Sequence, residues 1–419
     1  MSDTSHVTVI GAGIIGMVTA LTFLRRGYQV TVIDRFGPGK ATSFGNAGGF
    51  GVTDPQPTSL PGTIWKVPGW LLDPEGPLRI SPAYLPRLMP WLWRFWRAAA
   101  PKNVAAIADA QHALNVQVYQ DWLPILDAAG LSDQLQRNGS LTLYRTDVAF
   151  QNDTFSWNLR RERGIEIHEL DEHEIRQLEP EIGSGFARGV LMPDWSHVLD
   201  PYGIVTGIAA CFAGDGGEIL RAEVTGFVPR DSRAWALETD TGERPVDKLV
   251  VCAGAWSHRI SSWFGETVPL ESERGYHMTL PAAPVRPRRM LIIGEEHFVI
   301  TPMSMGLRLA GTVEMSGLEA APNHARSRVL LTKARRVLPG LRSKAVEEGL
   351  SEWSGHRPAL PDTIPVISKS QRFENVFYGF GHGHLGLTQA ATTGRLLADL
   401  VSGESASFNL LPYRVDRFR

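Results

Sequence analysis

The order of apolar and polar positions predicts a strand, a helix and a second strand at the start of the chain. Residues 7–10 form a β-branched run without the polar alternation of a half-exposed strand, which is typical of a strand covered on both faces. A helical run follows over 14–26, and Gly27 is suited to end it. Residues 29–33 predict the next strand, which ends at Asp34. The pattern is typical of an α/β domain with a parallel sheet.

The same periodicities predict further elements along the whole chain. Helices are expected at 104–122, 151–164, 172–178, 201–212, 327–338 and 387–401, and Asp200 and Pro201 suit the N-cap and first position of the fourth. Strands are expected at 139–144, 218–228, 234–239, 248–251, 276–280, 290–293, 297–301 and 306–312. Residues 52–90 are dense in proline and glycine, which predicts a long irregular connection. The strands between 268 and 349 predict an antiparallel sheet domain inserted between pieces of the first domain.

The turn between the first strand and helix carries a dinucleotide-binding pattern. Gly11, Gly13 and Gly16 have G-x-G-x-x-G spacing, which allows a tight turn, close approach of a pyrophosphate and close helix–strand packing. The pyrophosphate would lie at the helix N-terminus, where the free N–H groups favour negative charge. Asp34, 18 residues beyond Gly16, would accept hydrogen bonds from the ribose. The pattern does not decide between FAD and NAD(P).

Composition narrows the functional classes. The 419 residues are enough for two domains, and the balance of 42 basic and 44 acidic side chains gives no reason to expect a nucleic-acid partner. The two cysteines, Cys211 and Cys252, do not suggest a disulfide framework and fit a reducing compartment. No signal-peptide pattern and no apolar run of spanning length is seen, so a cytoplasmic protein is expected.

The segment from Tyr84 to Arg97 is rich in both tryptophan and arginine. Trp91, Trp93 and Trp96 lie within it, together with three arginines. This composition resembles that of an interfacial segment in peripheral contact with the inner membrane face, where rings lie at headgroup level and arginines reach phosphates. An aromatic-rich core segment with arginines extended to solvent is the alternative.

Two further stretches rich in small residues suit close contact with a ligand. Residues 41–49 include Ser43 and Asn46, and would either present backbone N–H groups to a ligand or form a plain flexible loop. Residues 250–257 predict a buried strand that meets a small-residue turn at Ala253 and Gly254.

Five motifs in this order resemble the FAD-dependent D-amino-acid oxidase and dehydrogenase family, which includes glycine and sarcosine oxidases. They are the 11–34 unit, the 43–49 loop, the 250–257 strand and turn, G-H-R-P at 355–358 with Pro361, Asp362 and Pro365, and G-H-G-H-L-G at 381–386. The bacterial D-amino-acid dehydrogenases are most similar, because of the 42–48 loop and the Trp/Arg segment. One departure is Asp34, where such proteins often have glutamate.

The resemblance implies an α/β fold with a Rossmann-like FAD-binding domain assembled from discontinuous segments, and an α+β substrate domain on a mixed or antiparallel sheet. The expected division is 1–50, 200–262 and 350–419 for FAD, and 51–199 and 263–349 for the substrate. The implied cofactor contacts are Gly11, Gly13, Ile14, Ile15, Gly16, Asp34, Arg35, Ser43, Asn46, Ala47, Gly48, Gly49, Val224, Ala253, Gly254, Gly381, Gly383, His384, Leu385, Gly386 and Thr388.

Arg357 is the main catalytic candidate. It stands at the position that resembles the carboxylate-binding arginine of the family, and a guanidinium matches a carboxylate in bidentate geometry. Such a clamp would hold the substrate α-carbon beside flavin N5. The alternative is a structural ion pair with Glu352 or Asp362.

Other candidates come from the last glycine-rich loop and from the inserted sheet. The loop before the 387–401 helix would place glycine backbone against the isoalloxazine ring, and the helix N-terminus would favour an anionic reduced flavin. His382 and His384 form an H-x-H pattern, but a flavin loop explains the place better and no metal is expected. His382 would lie near the substrate or be an ordinary hydrogen-bonded histidine. Tyr276, with His277, would bound the pocket or occupy plain strand positions.

The resemblance implies oxidative deamination of a D-amino acid, with hydride passing from the α-carbon to flavin N5 and electrons to a quinone-like acceptor. Three alternatives share the motifs: oxidation of a secondary amino acid, an oxidase that uses oxygen, and a flavin-carrying electron-relay subunit of a complex. An NAD(P)-binding reductase is a fourth. The sequence does not reveal the substrate side-chain pocket.

Overall fold

The computed structural model describes residues 5–230 and 233–418. The strands in chain order are β1 His6–Ile10, β2 Gln29–Asp34, β3 Gly49–Phe50, β4 Leu78–Ile80, β5 Leu135–Gln136, β6 Ser140–Tyr144, β7 His168–Leu170, β8 Arg188–Met192, β9 Ser196–Val198, β10 Glu218–Arg221, β11 Val224–Arg230, β12 Arg233–Thr239, β13 Gly242–Pro245, β14 Lys248–Val251, β15 Glu271–Leu280, β16 Met290–Ile293, β17 Phe298–Met303, β18 Gly306–Met315, β19 Ser351–Ala359, β20 Val366–Lys369 and β21 Val376–Phe380. The α-helices are α1 Ile14–Arg25, α2 Thr63–Leu72, α3 Leu85–Ala98, α4 Pro101–Asn115, α5 Val118–Ala128, α6 Asp147–Asn152, α7 Thr154–Arg161, α8 Glu172–Leu178, α9 Pro201–Gly214, α10 Ser257–Trp263, α11 Ala325–Val337 and α12 Gly386–Ser402.

The first sheet has the strand order β10-β2-β1-β14-β21-β20. All its pairs are parallel except β20–β21, so the carboxyl ends of β1, β2, β14 and β21 meet at one edge. Both faces are covered by apolar clusters, one of which includes α1, α9 and α12. Val7 and Val9 are fully buried, which explains the unbroken β-branched run that the sequence shows.

The second large sheet has nine strands, in the order β19-β15-β18-β17-β16-β6-β8-β7 with β4 paired to β18. It is mixed, because β16–β6 and β18–β4 are parallel while the other pairs are antiparallel. An apolar cluster that includes α11 covers part of it. Strand β19 belongs to this sheet, although its motif lies beyond residue 350. Helices α4 and α5 pack into the apolar cluster of the first sheet.

The prediction of an irregular connection over 52–90 is wrong. Helix α2, strand β4 and the start of α3 lie there. A proline lies in the first turn of α3, where no hydrogen bond is lost. Leu88 and Trp91 of α3 are buried against Met315 and Ala359, so packing outweighs the unfavourable composition.

Other predicted elements are split in the structure. The helix expected at 104–122 is two helices, α4 and α5, with an interruption at Val116 and Gln117. Both helices continue the same apolar spacing against one core, so the spacing did not reveal the interruption. The helix expected at 151–164 is preceded by a separate α6. The strand expected at 218–228 divides into β10 and β11, which belong to different sheets.

Candidate FAD and substrate site

A cavity of about 410 Å³ lies at the carboxyl ends of the parallel strands, where α/β sheets bind their ligands. It gathers residues from motifs that are far apart in sequence. The predicted residues that line it are Gly11, Gly13, Ile14, Ile15, Asp34, Arg35, Ser43, Asn46, Val224, Ala253, Gly254, Gly381, His382, Gly383 and Gly386. The structure therefore brings most of the expected cofactor contacts to one elongated space.

Several glycines that line this cavity face open space. A Cβ atom built on Gly254 or Gly383 would meet no protein atom within 4 Å, and one on Gly13 would meet only Ser43 Oγ at 3.4 Å. Gly11 differs, because its Cβ would lie 2.8 Å from the Cys252 carbonyl carbon. The open positions form a cradle that a flat, extended ligand would fill, and the residues present fit FAD.

Gly16 and Gly48 have packing roles outside the cavity lining. A Cβ on Gly16 would overlap the carbonyl oxygen of Gly11, so this glycine allows α1 to approach the turn. Gly48 has a φ of 80°, and a Cβ there would lie 2.8 Å from Met303 Cε. Neither glycine contacts the cavity.

The remaining cofactor candidates support neighbouring loops. The Ala47 carbonyl accepts a hydrogen bond from Thr301 at 2.8 Å, and Gly49 pairs with β9. Thr388 Oγ1 accepts a bond from the N–H of Gly51 at 3.1 Å, while Leu385 is buried. These residues do not line the cavity, so their expected contacts with FAD stay predictions.

The N-terminus of α1 points its free donors toward the cavity. The N–H of Ile14 donates to Ser43 Oγ at 3.0 Å. Within the described residues, the N–H of Ile15 has no hydrogen-bond acceptor. An anion at this place would satisfy that donor and interact favourably with the helix dipole.

Asp34 lines the cavity, but its carboxylate is already engaged by backbone. It accepts hydrogen bonds from the N–H groups of Ala12 at 2.8 Å, Phe36 at 2.7 Å and Gly37 at 2.8 Å. The short aspartate side chain thus connects two turns at one end of the cavity, where the adenosine half of FAD is expected (the adenosine end). The expected ribose contact stays a prediction, to be made through the remaining lone pairs.

Arg35 forms a stacked arrangement at the same end. Its guanidinium carbon lies 4.5 Å from the ring centroid of Trp256 and 4.6 Å from that of Phe36. It also pairs with Glu223 at 3.3 Å. Arg35, Phe36, Trp256 and Glu223 all line the cavity. The adenosine end therefore has two aromatic rings beside an arginine that is paired with a glutamate.

His382 lies at the other end of the cavity, where the last glycine-rich loop meets α12. Its Nε2 lies 2.9 Å from Thr393 Oγ1, and its buried Nδ1 has no hydrogen-bond partner among the described residues. Burial lowers the pKa of this imidazole to about 3, so the ring is neutral. An unpartnered buried nitrogen on a ligand cavity is available to a bound group.

His384 does not face the same cavity. Its ring is partly exposed, and its Nε2 lies 3.7 Å from Asp54. Across residues 5–230 and 233–418, no three histidine, cysteine, aspartate or glutamate side chains are grouped so that they could hold a metal ion. The H-x-H pattern therefore separates into one cavity residue and one surface-side residue.

Arg357 lies on β19, directly opposite Glu273 on β15. Its Nη1 donates to the carbonyl of Thr312 at 3.2 Å, and its guanidinium lies over Gly275, where a Cβ would be 2.8 Å from Nη1. The two acids proposed as alternative ion-pair partners are engaged elsewhere. Glu352 accepts from Ser327 at 2.8 Å, and Asp362 pairs with Arg417 at 2.8 Å.

A β-bulge holds the acceptor of that Arg357 bond. Gly275 pairs with Val313 while Tyr276 pairs with Gly311, which leaves Thr312 as the extra residue of β18. Thr312 has a φ of 57°, which is rare for a β-branched residue. The strain turns its carbonyl toward the guanidinium.

Strand β19 is also bonded to both glycine-rich loops of the FAD cavity. Thr42 Oγ1 donates to the carbonyl of His356 at 2.7 Å, and the N–H of Gly383 donates to the carbonyl of Pro358 at 2.9 Å. The residues on each side of Arg357 are thereby tied to the first domain. The strand that carries Arg357 is thus fixed beside the FAD cavity, whose lining includes Pro358, while Arg357 itself is not in that lining.

Tyr276 and His277 are buried and line neither cavity. The Tyr276 hydroxyl donates to Glu314 and accepts from the N–H of Asn323 at 2.9 Å. His277 Nδ1 lies 3.0 Å from the carbonyl of Gly45, and burial lowers the pKa of its ring to about 3. Since successive strand residues alternate in direction, Tyr276 points away from the face that carries Glu273 and Arg357. The structure does not bring the Tyr276 phenol to the candidate substrate site.

A second, larger cavity of about 960 Å³ was not predicted. Its lining includes aromatic side chains of α2 and α3, among them Trp65, Trp70, Trp91, Phe95 and Trp96, and also Glu273. Trp91 is buried and stacks on Phe95 at 5.1 Å, whereas Trp93 is 52% exposed. The Trp/Arg segment is therefore partly core and partly surface. Two sequence signals for this cavity were available: the helical spacing of the aromatic residues in the Trp/Arg segment, and the acid Glu273, which lies two residues before Gly275.

Comparison with known proteins identifies the family. The model of the FAD dependent oxidoreductase family DAO matches residues 6–400. The chain belongs to this family.

Full-length relatives agree with the assignment. The chain is 36% identical to a D-amino-acid oxidase of Bradyrhizobium diazoefficiens, with 100% of both proteins covered. It is 29% identical to a D-amino acid dehydrogenase of Paramagnetospirillum magneticum, with 98% of each covered. Among solved structures, glycine oxidase from Geobacillus kaustophilus has a TM-score of 0.74 at 21% identity and 99% coverage of each chain. L-proline dehydrogenase from P. horikoshii has a TM-score of 0.76 at 18% identity, with 100% and 98% covered.

The chain is an FAD-dependent amino-acid oxidoreductase with the α/β fold of this family and a second substrate domain. The sequence-based predictions of family, fold class and FAD are confirmed. No helix of the described residues has the length and apolar character needed to cross a membrane.

Proposed function

We propose that this oxidoreductase catalyses oxidative deamination of D-amino acids. The observation that carries the proposal is Arg357, whose strand is bonded to two loops of the FAD cavity and whose guanidinium has no ion pair within 4 Å among the described residues. A guanidinium with unused donors is suited to bind a substrate carboxylate in two-point geometry. Relatives named D-amino-acid oxidase and D-amino acid dehydrogenase support the D-amino-acid substrate class.

The chain's own residues supply binding and orientation. Bound FAD supplies a two-electron acceptor for the hydrogen of the substrate α-carbon. Arg357 would fix the carboxylate, which restricts the α-carbon to one position relative to the ring. The neutral His382 adds no charge at the buried end, and the glycine turns admit the ring at backbone distance. Loss of the α-hydrogen with its electron pair and one amine proton leaves an imino acid, which water hydrolyses to a 2-oxo acid and ammonia.

The test is reduction of the bound flavin without oxygen. Purified protein is mixed anaerobically with D-, L- and N-alkyl amino acids while the flavin absorbance near its visible maximum is followed. We expect D-amino acids to bleach the flavin and their L-isomers to leave it oxidised. Bleaching by L-isomers alone, or by no amino acid, would refute the proposal.

We further propose a quinone-like electron acceptor and peripheral contact with a lipid surface. The support is the exposed apolar face of α2 and α3, where Trp65 and Leu72 are each 84% exposed and Met89, Trp93 and Trp96 are about half exposed. Arg97 lies 4.7 Å over the Trp93 ring, so a cation accompanies the exposed aromatics. Such a face suits an apolar acceptor dissolved in the membrane.

Vesicle sedimentation tests the lipid contact. We expect the protein to bind vesicles of phosphatidylethanolamine and phosphatidylglycerol, and replacement of Trp93 and Trp96 by serine to abolish binding. Leu411→Ser removes an equally exposed apolar side chain elsewhere and should leave binding unchanged. Equal binding by the double variant would exclude this face as the lipid contact.

An oxidase that uses oxygen is the second candidate, favoured by the 36% identical D-amino-acid oxidase. Flavin that has been reduced anaerobically is mixed either with oxygen or with a soluble quinone. Faster reoxidation by quinone supports the dehydrogenase, and faster reoxidation by oxygen supports the oxidase.

We also propose the domain division 1–50, 200–262 and 350–419 for FAD, and 51–199 and 263–349 for the substrate. The six-stranded sheet supports the first group of segments and most of the nine-stranded sheet the second. Strand β19, which carries Arg357, is an exception. Its residues lie beyond 350, but it pairs with β15 in the nine-stranded sheet.

A further inference from the structure

Glu273 is a charged residue of the second cavity that the proposed mechanism does not yet use. It is the direct cross-strand neighbour of Arg357, so both side chains leave the same face of the β15–β19 pair. No side chain or backbone group of the described residues donates a hydrogen bond to its carboxylate within the usual distance, and Arg357 donates only to Thr312. An acid and a base with unused bonding capacity therefore stand side by side.

The two strands that carry the pair border different cavities. Glu273 is in the lining of the aromatic cavity, and Pro358, adjacent to Arg357, is in the lining of the FAD cavity. The charged groups that act on Glu273 are Arg357 from β19 and His384 from the loop before α12. The other groups around it in the large cavity are mainly apolar, including Trp91 and Val313.

An isolated carboxylate in such surroundings is costly unless a cation joins it. Burial raises the pKa of Glu273, and the nearby Arg357 only partly opposes this. Burial likewise lowers the pKa of Arg357, while Glu273 opposes that shift. The two charges thus act on each other without a direct ion pair, and a zwitterion placed between them would contact both.

We propose that Glu273 binds the α-ammonium group of the substrate while Arg357 binds its carboxylate, and that the aromatic cavity receives the side chain. The inference rests on the proposed function and extends it to the amine and side-chain ends of the substrate. Cross-strand neighbours are separated by about 5 Å at Cβ, which suits two groups attached to one α-carbon. The wide apolar cavity selects amino acids with large apolar or aromatic side chains.

The test uses two ligands that the enzyme cannot oxidise. 2-Aminoisobutyrate has the carboxylate and the ammonium but no α-hydrogen, and isobutyrate lacks the amine. Their dissociation constants are measured on the FAD-loaded protein from the shift of flavin absorbance. Wild-type protein should prefer 2-aminoisobutyrate by about tenfold or more, the size expected for a charge-assisted hydrogen bond.

Glu273→Gln should weaken binding of 2-aminoisobutyrate at least about tenfold and strengthen binding of isobutyrate, because a negative charge beside Arg357 is removed. Opposite shifts cannot arise from general damage to the site, which would weaken both ligands. Glu271→Gln, on the same strand, removes an acid that bonds Tyr84 and should leave the preference unchanged.

If Glu273→Gln keeps the wild-type preference, or weakens both ligands equally, Glu273 does not bind the ammonium. If wild-type flavin is reduced by D-amino acids but the preference is unaltered in the variant, only this inference fails. If no amino acid reduces the wild-type flavin, the proposed function itself fails.

Discussion

Gly275→Ala is expected to displace the substrate clamp without unfolding the protein. The new methyl group would lie 2.8 Å from Arg357 Nη1 and closer still to Cζ and Nη2. Non-bonded heavy atoms are in favourable contact at about 3.5 to 4.0 Å, so the guanidinium must move by about 1 Å. The Gly275 backbone does not have a positive φ, and the obstacle is the end of a flexible side chain. The fold therefore tolerates the change, at a cost of about 1 kcal/mol or less.

A displacement of about 1 Å in a positioned group lowers catalytic efficiency by about tenfold to a hundredfold. We expect kcat/KM for a D-amino acid to fall by this factor, mainly through KM, because the carboxylate contact is weakened. Steady-state kinetics and urea unfolding of the same preparations measure the two effects. Gly214→Ala, where a Cβ meets nothing within 4 Å, is the matched control and should leave kcat/KM unchanged. An unchanged KM in Gly275→Ala would show that the Arg357 guanidinium does not hold the substrate.

Three further predictions test neighbouring residues. Arg357→Ala should raise KM at least about tenfold, or about 1.4 kcal/mol of binding, and ordinary steady-state kinetics would refute its role. Thr312→Gly should raise the free energy of unfolding by about 1 kcal/mol in urea titrations, because glycine adopts a positive φ without strain. The backbone carbonyl that accepts the bond from Arg357 is kept. A lower free energy of unfolding would contradict the strain at this residue. Because burial raises the pKa of Glu273, its carboxylate takes up a proton above the usual glutamate range. Lowering the pH from about 7.5 to about 5 should therefore weaken binding of 2-aminoisobutyrate and strengthen binding of isobutyrate. In Glu273→Gln the two dissociation constants should no longer shift in opposite directions.

The parts of the site built from local sequence could be predicted. Gly11, Gly13 and Gly16 impose a turn whose geometry depends on few neighbours, and three strands of the sheet, β1, β2 and β14, follow the predicted apolar runs. The turn and these strands depend on backbone conformation and spacing, which the sequence carries directly. Arg357 was named only through the family resemblance of its motif, and its contact with the substrate stays a prediction.

The missed parts depend on contacts between distant segments. Tyr276 and Glu273 belong to one strand, and only the pairing with β18 and β19 decides which of them faces Arg357. The three backbone N–H groups that donate to the Asp34 carboxylate were not predicted, because they belong to two separate turns. Prolines within α2 and α3 hid both helices, and the packing of α3 against Met315 could not be seen in composition.

The hydrogen bonds from Thr42 and Gly383 to β19 connect the loops of the FAD cavity to the strand that carries Arg357. A mutation that loosens either flavin loop will also loosen the recognition of the acid group. The aromatic side chains of α2 and α3 lie outside this linkage. We therefore expect substitutions in those helices to change which amino acids are accepted while the redox centre stays intact, which makes them the rational starting point for redesigning substrate range.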